Sequence, residues 1–182
     1  MKLEYHEYSR MAFISDLTEV TVADGVTSIG ADAFNSCWKL RSVTIPESVT
    51  AIGNSAFKNC RALRAITLPS GLTKIAGEAF YWCAALRSIA IPDGVTGIDY
   101  RTFAKCYGLQ SVTLPANLEI IGPLAFAECE ALKSISLPAS VTKIGPKAFE
   151  GCTSLTEIRV PAGTLTRFAT LLPDQAALLK ES

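Results

Sequence analysis

The residues with the most chemistry in them are six cysteines, at positions 37, 60, 83, 106, 129 and 152. A thiol set of that size invites two interpretations, disulfide cross-links or a metal centre. Cysteine-rich metal sites use closely paired ligands such as Cys-x-x-Cys, whereas every gap here is 23 residues. An even gap places the thiols in successive layers of a stack. Stacked Cα atoms about 5 Å apart are within disulfide range, but side chains of one column project in parallel rather than at each other. The expectation is six buried, reduced thiols acting as small apolar side chains in a crowded interior. His6 is the sole histidine, so neither a Ser-His-Asp triad nor a multi-histidine metal site can be assembled. Tyr5, His6 and Glu7 read as surface residues. The carboxylates are scattered and form no acid–base pair, and no glycine-rich phosphate loop is present. The sequence therefore argues against an enzyme and calls for no metal or cofactor.

Other side chains are suited to binding. Arg41, Arg64 and Arg87 recur at the same 23-residue interval, so they form a row with a spacing of about 4.8 Å. Such a row is either splayed and solvated or is relieved by an acidic patch on a partner, and arginine suits carboxylate recognition. Outward positions beside the cysteines carry Trp38, Arg61, Tyr81, Trp82, Lys105 and Tyr107, and later Glu128, Glu130 and Glu150. Large aromatics outside the core columns, with arginine nearby, are typical of interface hot spots; the alternative is that they lie flat across adjacent layers. The expected partner-binding set is Trp38, Arg41, Arg61, Arg64, Tyr81, Trp82, Arg87 and Tyr107. Exposed rings also stack on sugars, so carbohydrate binding with Asn35, Asn59 and Glu128 is a rival reading. A passive spacer from a larger surface protein is another, and a consensus-derived chain is compatible with so regular a repeat.

The elements that hold these residues follow from the repeat. A phenylalanine precedes each cysteine by three residues (Phe34, Phe57, Phe80, Phe103, Phe126, Phe149) and a leucine follows by three (Leu40 to Leu155). One small unit stacked many times is a solenoid, whose stability is a nearest-neighbour sum. Alternating pairs, from Val20/Val22 and Val43/Ile45 through Ile66/Leu68 to Ile158/Val160, predict seven short parallel strands. Proline follows six of them, at 46, 69, 92, 115, 138 and 161, ending the ladder and starting a turn. The pair Val49/Ile52 and its counterparts, spaced by three, allow either a second extended segment or a tight turn. The stretch Ala56-Phe57-x-x-Cys60-x-x-Leu63 has the spacing of a short helix or 3₁₀ turn on the outer side.

The stretches LRSVTIPESVTAIGNSAFKNC, LRAITLPSGLTKIAGEAFYWC and LKSISLPASVTKIGPKAFEGC resemble the BspA-like class of leucine-rich repeats. The likeness covers about residues 17–163. It implies a right-handed α/β repeat solenoid with strands lining the concave side. It also implies a surface-exposed or secreted bacterial or protozoan protein linked to adhesion and protein binding, as fold alone does not. Residues 1–16 align poorly, with Met11 in the phenylalanine column and Ile14 in the cysteine column, and read as a degenerate N-terminal cap. Residues 164–182 leave the repeat and read as a helical C-terminal cap. Thr164 is placed as N-cap for Leu165, Phe168, Leu171 and Leu172, and Asp174 as cap of a second turn.

Bulk composition agrees with a folded, interaction-type chain. Hydrophobic residues make up 49% and charged residues 19% of 182, with 17 basic and 17 acidic side chains. That balance excludes a general nucleic-acid or anionic-membrane binder, and no apolar run approaches a membrane span. No signal peptide is visible at the N-terminus. Localisation stays open, since reduced thiols fit the cytoplasm and the family resemblance fits the cell surface.

Overall fold

The computed structural model describes residues 1–6 and 12–182; Glu7 and Met11 lie outside them. The chain winds into a parallel solenoid held by three kinds of ladder. The first is a column of short strands: Lys2–Tyr5, Glu19–Val22, Ser42–Thr44, Ser88–Ala90, Ser111–Thr113, Ser134–Ser136, Glu157–Val160 and Leu179–Glu181. Their pairings are parallel and in repeat register, with Val20 beside Val43, Ile89 beside Val112 and Ile135 beside Ile158. Strict alternation drives them: Val43 is buried between exposed Ser42 and Thr44, as a strand with one wet face requires. Residues 64–68 keep the inward Ile66 and Leu68 but are not assigned as a strand.

The second ladder settles the segment around Val49 and Ile52. Val49 N–H closes the proline turn on the Pro46 carbonyl at 3.2 Å, and Ile52 then enters a two-residue strand. Ser28–Ile29, Ala51–Ile52 and Lys74–Ile75 pair in parallel, as do Gly97–Ile98, Ile120–Ile121 and Lys143–Ile144. Glycine follows several of these strands because the neighbouring backbone is too close for a side chain. A Cβ on Gly145 would meet Pro123 N at 2.4 Å, and one on Gly53 would meet Ala31 N at 2.6 Å. Gly145→Ala is therefore expected to lower stability by about 1–3 kcal/mol, read as a reduced midpoint in urea unfolding. An unchanged midpoint would show that the rungs slide apart at no cost.

The third ladder gives the stretch around Phe57 the i→i+3 bonding expected of a 3₁₀ turn, without a continuous helix. The Phe–Cys stretch is a run of overlapping i→i+3 turns, such as Asn35 N–H to Asp32 O and Cys37 N–H to Phe34 O at 3.1 Å each. Two positions per rung have positive φ: Asp32, Ser55, Glu78, Arg101, Leu124 and Lys147, and then Ser36, Asn59, Trp82, Lys105, Glu128 and Gly151. Left-handed residues interrupt a helix. Inter-rung bonding offsets their strain. In the rungs of Phe34 to Phe126 the N–H groups two residues before Phe, at Phe, and just before Cys donate to carbonyls of the next rung; for the Phe57 rung these are Ser55 to Gly77, Phe57 to Ala79 and Asn59 to Tyr81, at 2.8–3.0 Å.

The core is one apolar cluster running the length of the stack. The phenylalanine rings form a continuous pile, with centroids 5.1–5.6 Å apart and planes within 2–15° of parallel from Phe34 to Phe149, an offset stacking distance. Five cysteines are buried and Cys152 is half-buried; none of the six is in a disulfide. Each thiol from Cys60 to Cys152 donates to the phenylalanine carbonyl of the preceding rung at 3.1–3.2 Å. The cysteine is thus both a small filler and a polar link between layers.

The ends differ from the sequence expectation in detail. Tyr5 is not a surface residue. It is fully buried, packs against Phe34 with centroids 4.9 Å apart and ring planes tilted by 55°, and its hydroxyl accepts the Gly30 N–H at 3.1 Å. A tyrosine reaching across from the first strand provides a ring over Phe34. His6 is exposed, 3.8 Å from Glu4. In the C-terminal segment Leu165–Leu171 is helical and Pro173–Leu178 is a 3₁₀ helix. Phe168 and Leu172 are buried. Thr164 does not cap the helix with its side chain. Its hydroxyl donates to the Pro161 carbonyl at 2.6 Å instead, and Glu181 accepts the N–H groups of Gly163 and Leu165. Asp174 makes no capping bond either. Leu179–Glu181 adds a strand parallel to Glu157–Val160.

Candidate partner-binding surface

The repeat fixes where each candidate side chain projects. Arg41 and Arg87 precede first-ladder strands and Arg64 begins the unassigned stretch between them, and all three are exposed. Among the described residues none of them forms an ion pair. The Arg87 N–H donates to the Arg64 carbonyl at 3.1 Å, so these two stand in adjacent rungs at ladder distance. Beside the row, Ser42, Ala65, Ser88, Thr44, Thr67 and Ala90 are exposed and small. The result is a positive row over a flat, unobstructed floor.

The aromatic residues behave differently. Trp38 is 52% exposed, whereas Tyr81, Trp82 and Tyr107 are half-buried. Trp82 is occupied by the protein's own cations. The Arg61 guanidinium lies 3.9 Å from its ring centroid and the Lys105 ammonium 5.6 Å away, while Tyr81 meets it edge-on at 6.4 Å. Lys58 sits 5.1 Å from the Tyr81 centroid and pairs with Glu78. Tyr107 reaches Glu128 at 3.5 Å, and Lys105 reaches the same carboxylate at 3.7 Å. Tyr81 first, and Glu128 after it, hold the Lys105 ammonium above its ordinary range. Burial, with Glu128 adding to it, pushes the Tyr107 phenol up. Tyr81, Trp82, Arg61 and Tyr107 thus form an internally satisfied lattice of rings and charges. Trp38 is left outward.

Lys58 and Glu78 are members of this lattice that the sequence did not mark. The Lys58–Tyr81 contact was accessible, since their 23-residue gap puts them in one column. The Arg61–Trp82 and Tyr107–Glu128 contacts run at a gap of 21, a diagonal that depends on the turn geometry. Asn59 lies in the same region, and its side-chain oxygen has no hydrogen-bond partner. The described residues contain no cluster of three or more metal-ligating side chains and no helix long and apolar enough to cross a membrane.

A family model for the BspA-type leucine-rich repeat region, in six copies, matches residues 7–129 and 73–170. The chain belongs to the BspA-type leucine-rich repeat family. Among solved structures, a leucine-rich repeat protein from Bacteroides ovatus is 37% identical with a TM-score of 0.75, over 79% of this chain and 39% of that one. A leucine-rich cell surface protein from Faecalibacterium prausnitzii is 27% identical (TM-score 0.56) over 92% of this chain and 60% of that one. A T. pallidum leucine-rich repeat protein is 33% identical (TM-score 0.51) over 80% of this chain and 59% of that one. This BspA-type chain therefore spans between 39% and 60% of the length of these structures. No protein of curated function matches it.

Proposed function

We propose that the chain is a non-catalytic module that binds another protein through the strand-side arginine row, with Trp38 as its apolar anchor. The observation that carries this reading is that Arg41, Arg64 and Arg87 are exposed and have no ion-pair partner among the described residues, while the neighbouring cations Lys58 and Lys105 are paired. Three like charges at ladder spacing repel, and an acidic partner relieves them. Trp38 and Arg41 are three residues apart, hence within about 11 Å, so ring and charge fit one footprint. Adhesin-like use at a cell surface is the finer form of the proposal, and the likeness to the leucine-rich cell surface protein of F. prausnitzii supports it.

The test compares wild type, Arg41→Glu/Arg64→Glu/Arg87→Glu and Trp38→Ala, each confirmed folded by circular dichroism, in capture from surface extracts followed by titration of the captured partner. The triple variant is expected to lose at least about tenfold in affinity, with a steep salt dependence in wild type. Equal retention by wild type and triple variant would overturn the arginine-row reading. Retention of a glycan with no protein, lost in Trp38→Ala, would move the function to carbohydrate binding.

A further inference from the structure

We infer that the last rung is a second docking edge, one that takes an extended polypeptide segment through its backbone carbonyls. The inference is independent of the arginine row and rests on the third ladder. In the preceding rung Leu124, Phe126 and Glu128 donate to Pro146, Ala148 and Glu150 at 3.1, 2.8 and 2.6 Å. The equivalent donors of the last rung are Lys147, Phe149 and Gly151. None of these three N–H groups finds an acceptor among the described residues. Lys147 and Gly151 keep the same positive φ as their counterparts, 59° and 74°, so the row is already set in the geometry that binds carbonyls.

A second observation places space beside those donors. The C-terminal segment adds its strand to the first ladder only, leaving a notch of about 460 Å³ between the last turns and the 3₁₀ helix. Lys147, Phe149, Cys152, Leu155, Asp174 and Leu178 line it. Its base is apolar, its rim charged, and its size fits a few residues of peptide. Phe149 borders the notch but is itself buried, so the open feature of the last rung is its row of donors. The occupant that completes these features offers alternate backbone carbonyls to three aligned donors. This is strand-addition recognition transferred from a sheet edge to a turn ladder.

The probe is a synthetic peptide with the sequence of residues 122–131, its cysteine replaced by serine, which carries the chemistry of a following rung. Amide exchange in the whole chain is expected to show Lys147, Phe149 and Gly151 exchanging freely while Leu124, Phe126 and Glu128 are protected. The peptide should bind saturably, slow exchange at the three free amides, and lose at least about tenfold in affinity when its sequence is reversed, which puts its carbonyls in the wrong order for the donors. Thr153→Trp, an exposed position on the notch, should weaken binding to the same extent without altering the unfolding midpoint. Protection of the three amides in the free protein at low concentration overturns the proposal. So does absence of saturable binding, or binding that Thr153→Trp leaves unchanged. Self-association that protects the same amides without peptide would assign the edge to a second copy instead.

Discussion

Phe103→Ala is expected to cost about 3–5 kcal/mol and to divide the unfolding of the solenoid. The Phe103 ring is fully buried, with Phe80 at 5.5 Å on one side and Phe126 at 5.4 Å on the other. Removing it deletes the apolar area and leaves a cavity in the middle of a stack where each rung contacts only its neighbours. In such an array stability is a sum of rung and interface contributions. A gap at the centre weakens two interfaces at once and lets the halves melt separately. Phe149→Ala, at the end of the pile, weakens one. Urea unfolding followed by far-ultraviolet circular dichroism and tryptophan fluorescence distinguishes them, because both tryptophans lie N-terminal to residue 103. The two probes should coincide in wild type and separate in Phe103→Ala. Coincident transitions with equal losses for both substitutions would mean that the ring pile is not what couples the rungs.

Alkali is expected to unfold the protein steeply, through the cysteines. Burial pushes the Cys106 thiol from 9.0 up to about 12 and the Cys152 thiol up to about 11, and raises Cys60, Cys83 and Cys129 well above the ordinary value. A thiol whose folded pKa exceeds its unfolded value stays protonated in the native state while the unfolded chain ionises. Its contribution is therefore complete below about pH 9 and is lost as pH rises from there toward the folded value. Each such thiol removes about 1.4 kcal/mol per pH unit within that window, and several titrate together. The Sγ hydrogen bond to a phenylalanine carbonyl adds to the effect, since a thiolate cannot donate it. Chemical unfolding between pH 8 and 11 should show a falling stability whose slope is reduced by about 1.4 kcal/mol per pH unit in Cys106→Ala relative to wild type. Identical slopes would show that Cys106 ionises equally in both states.

How much of this was legible in the sequence depended on whether the repeat itself encoded it. Phe34, Cys37, Leu40, Val43 and their counterparts announce the stack and the strand column, because a side chain that must be buried in every rung leaves a periodic trace. The turns around the cysteines were not legible. Their left-handed positions hold Glu78, Arg101, Trp82 and Lys105, residues with none of the preference for such a backbone that glycine, asparagine and aspartate carry; only Asp32, Asn59 and Gly151 hint at it. What stabilises them is bonding to the next rung, which is non-local. The same limit applies to the binding surface. Exposure of Arg41, Arg64 and Arg87 followed from alternation. The burial of Trp82 beneath Arg61 followed from a diagonal that only the folded turns create. Tyr5 was missed because its chain offset from Phe34 does not match the repeat, although its ring joins the same pile.

The turn ladder has a direction. All three of its donors per rung point toward the C-terminal end and all three acceptors face back, so the peptide dipoles add along the stack as they do along a helix. Extension of such an array is vectorial: a unit joining the C-terminal end must bring carbonyls in the matching order. Two copies meeting C-terminus to C-terminus would set donors against donors, so a twofold end-to-end dimer through these turns is disfavoured. Only head-to-tail contact satisfies the ladder, and contacts of that kind do not close on themselves unless the rotation between copies happens to complete a ring. The feature that lets a 23-residue unit be repeated also makes shielding of the two ends a requirement for a chain of finite length.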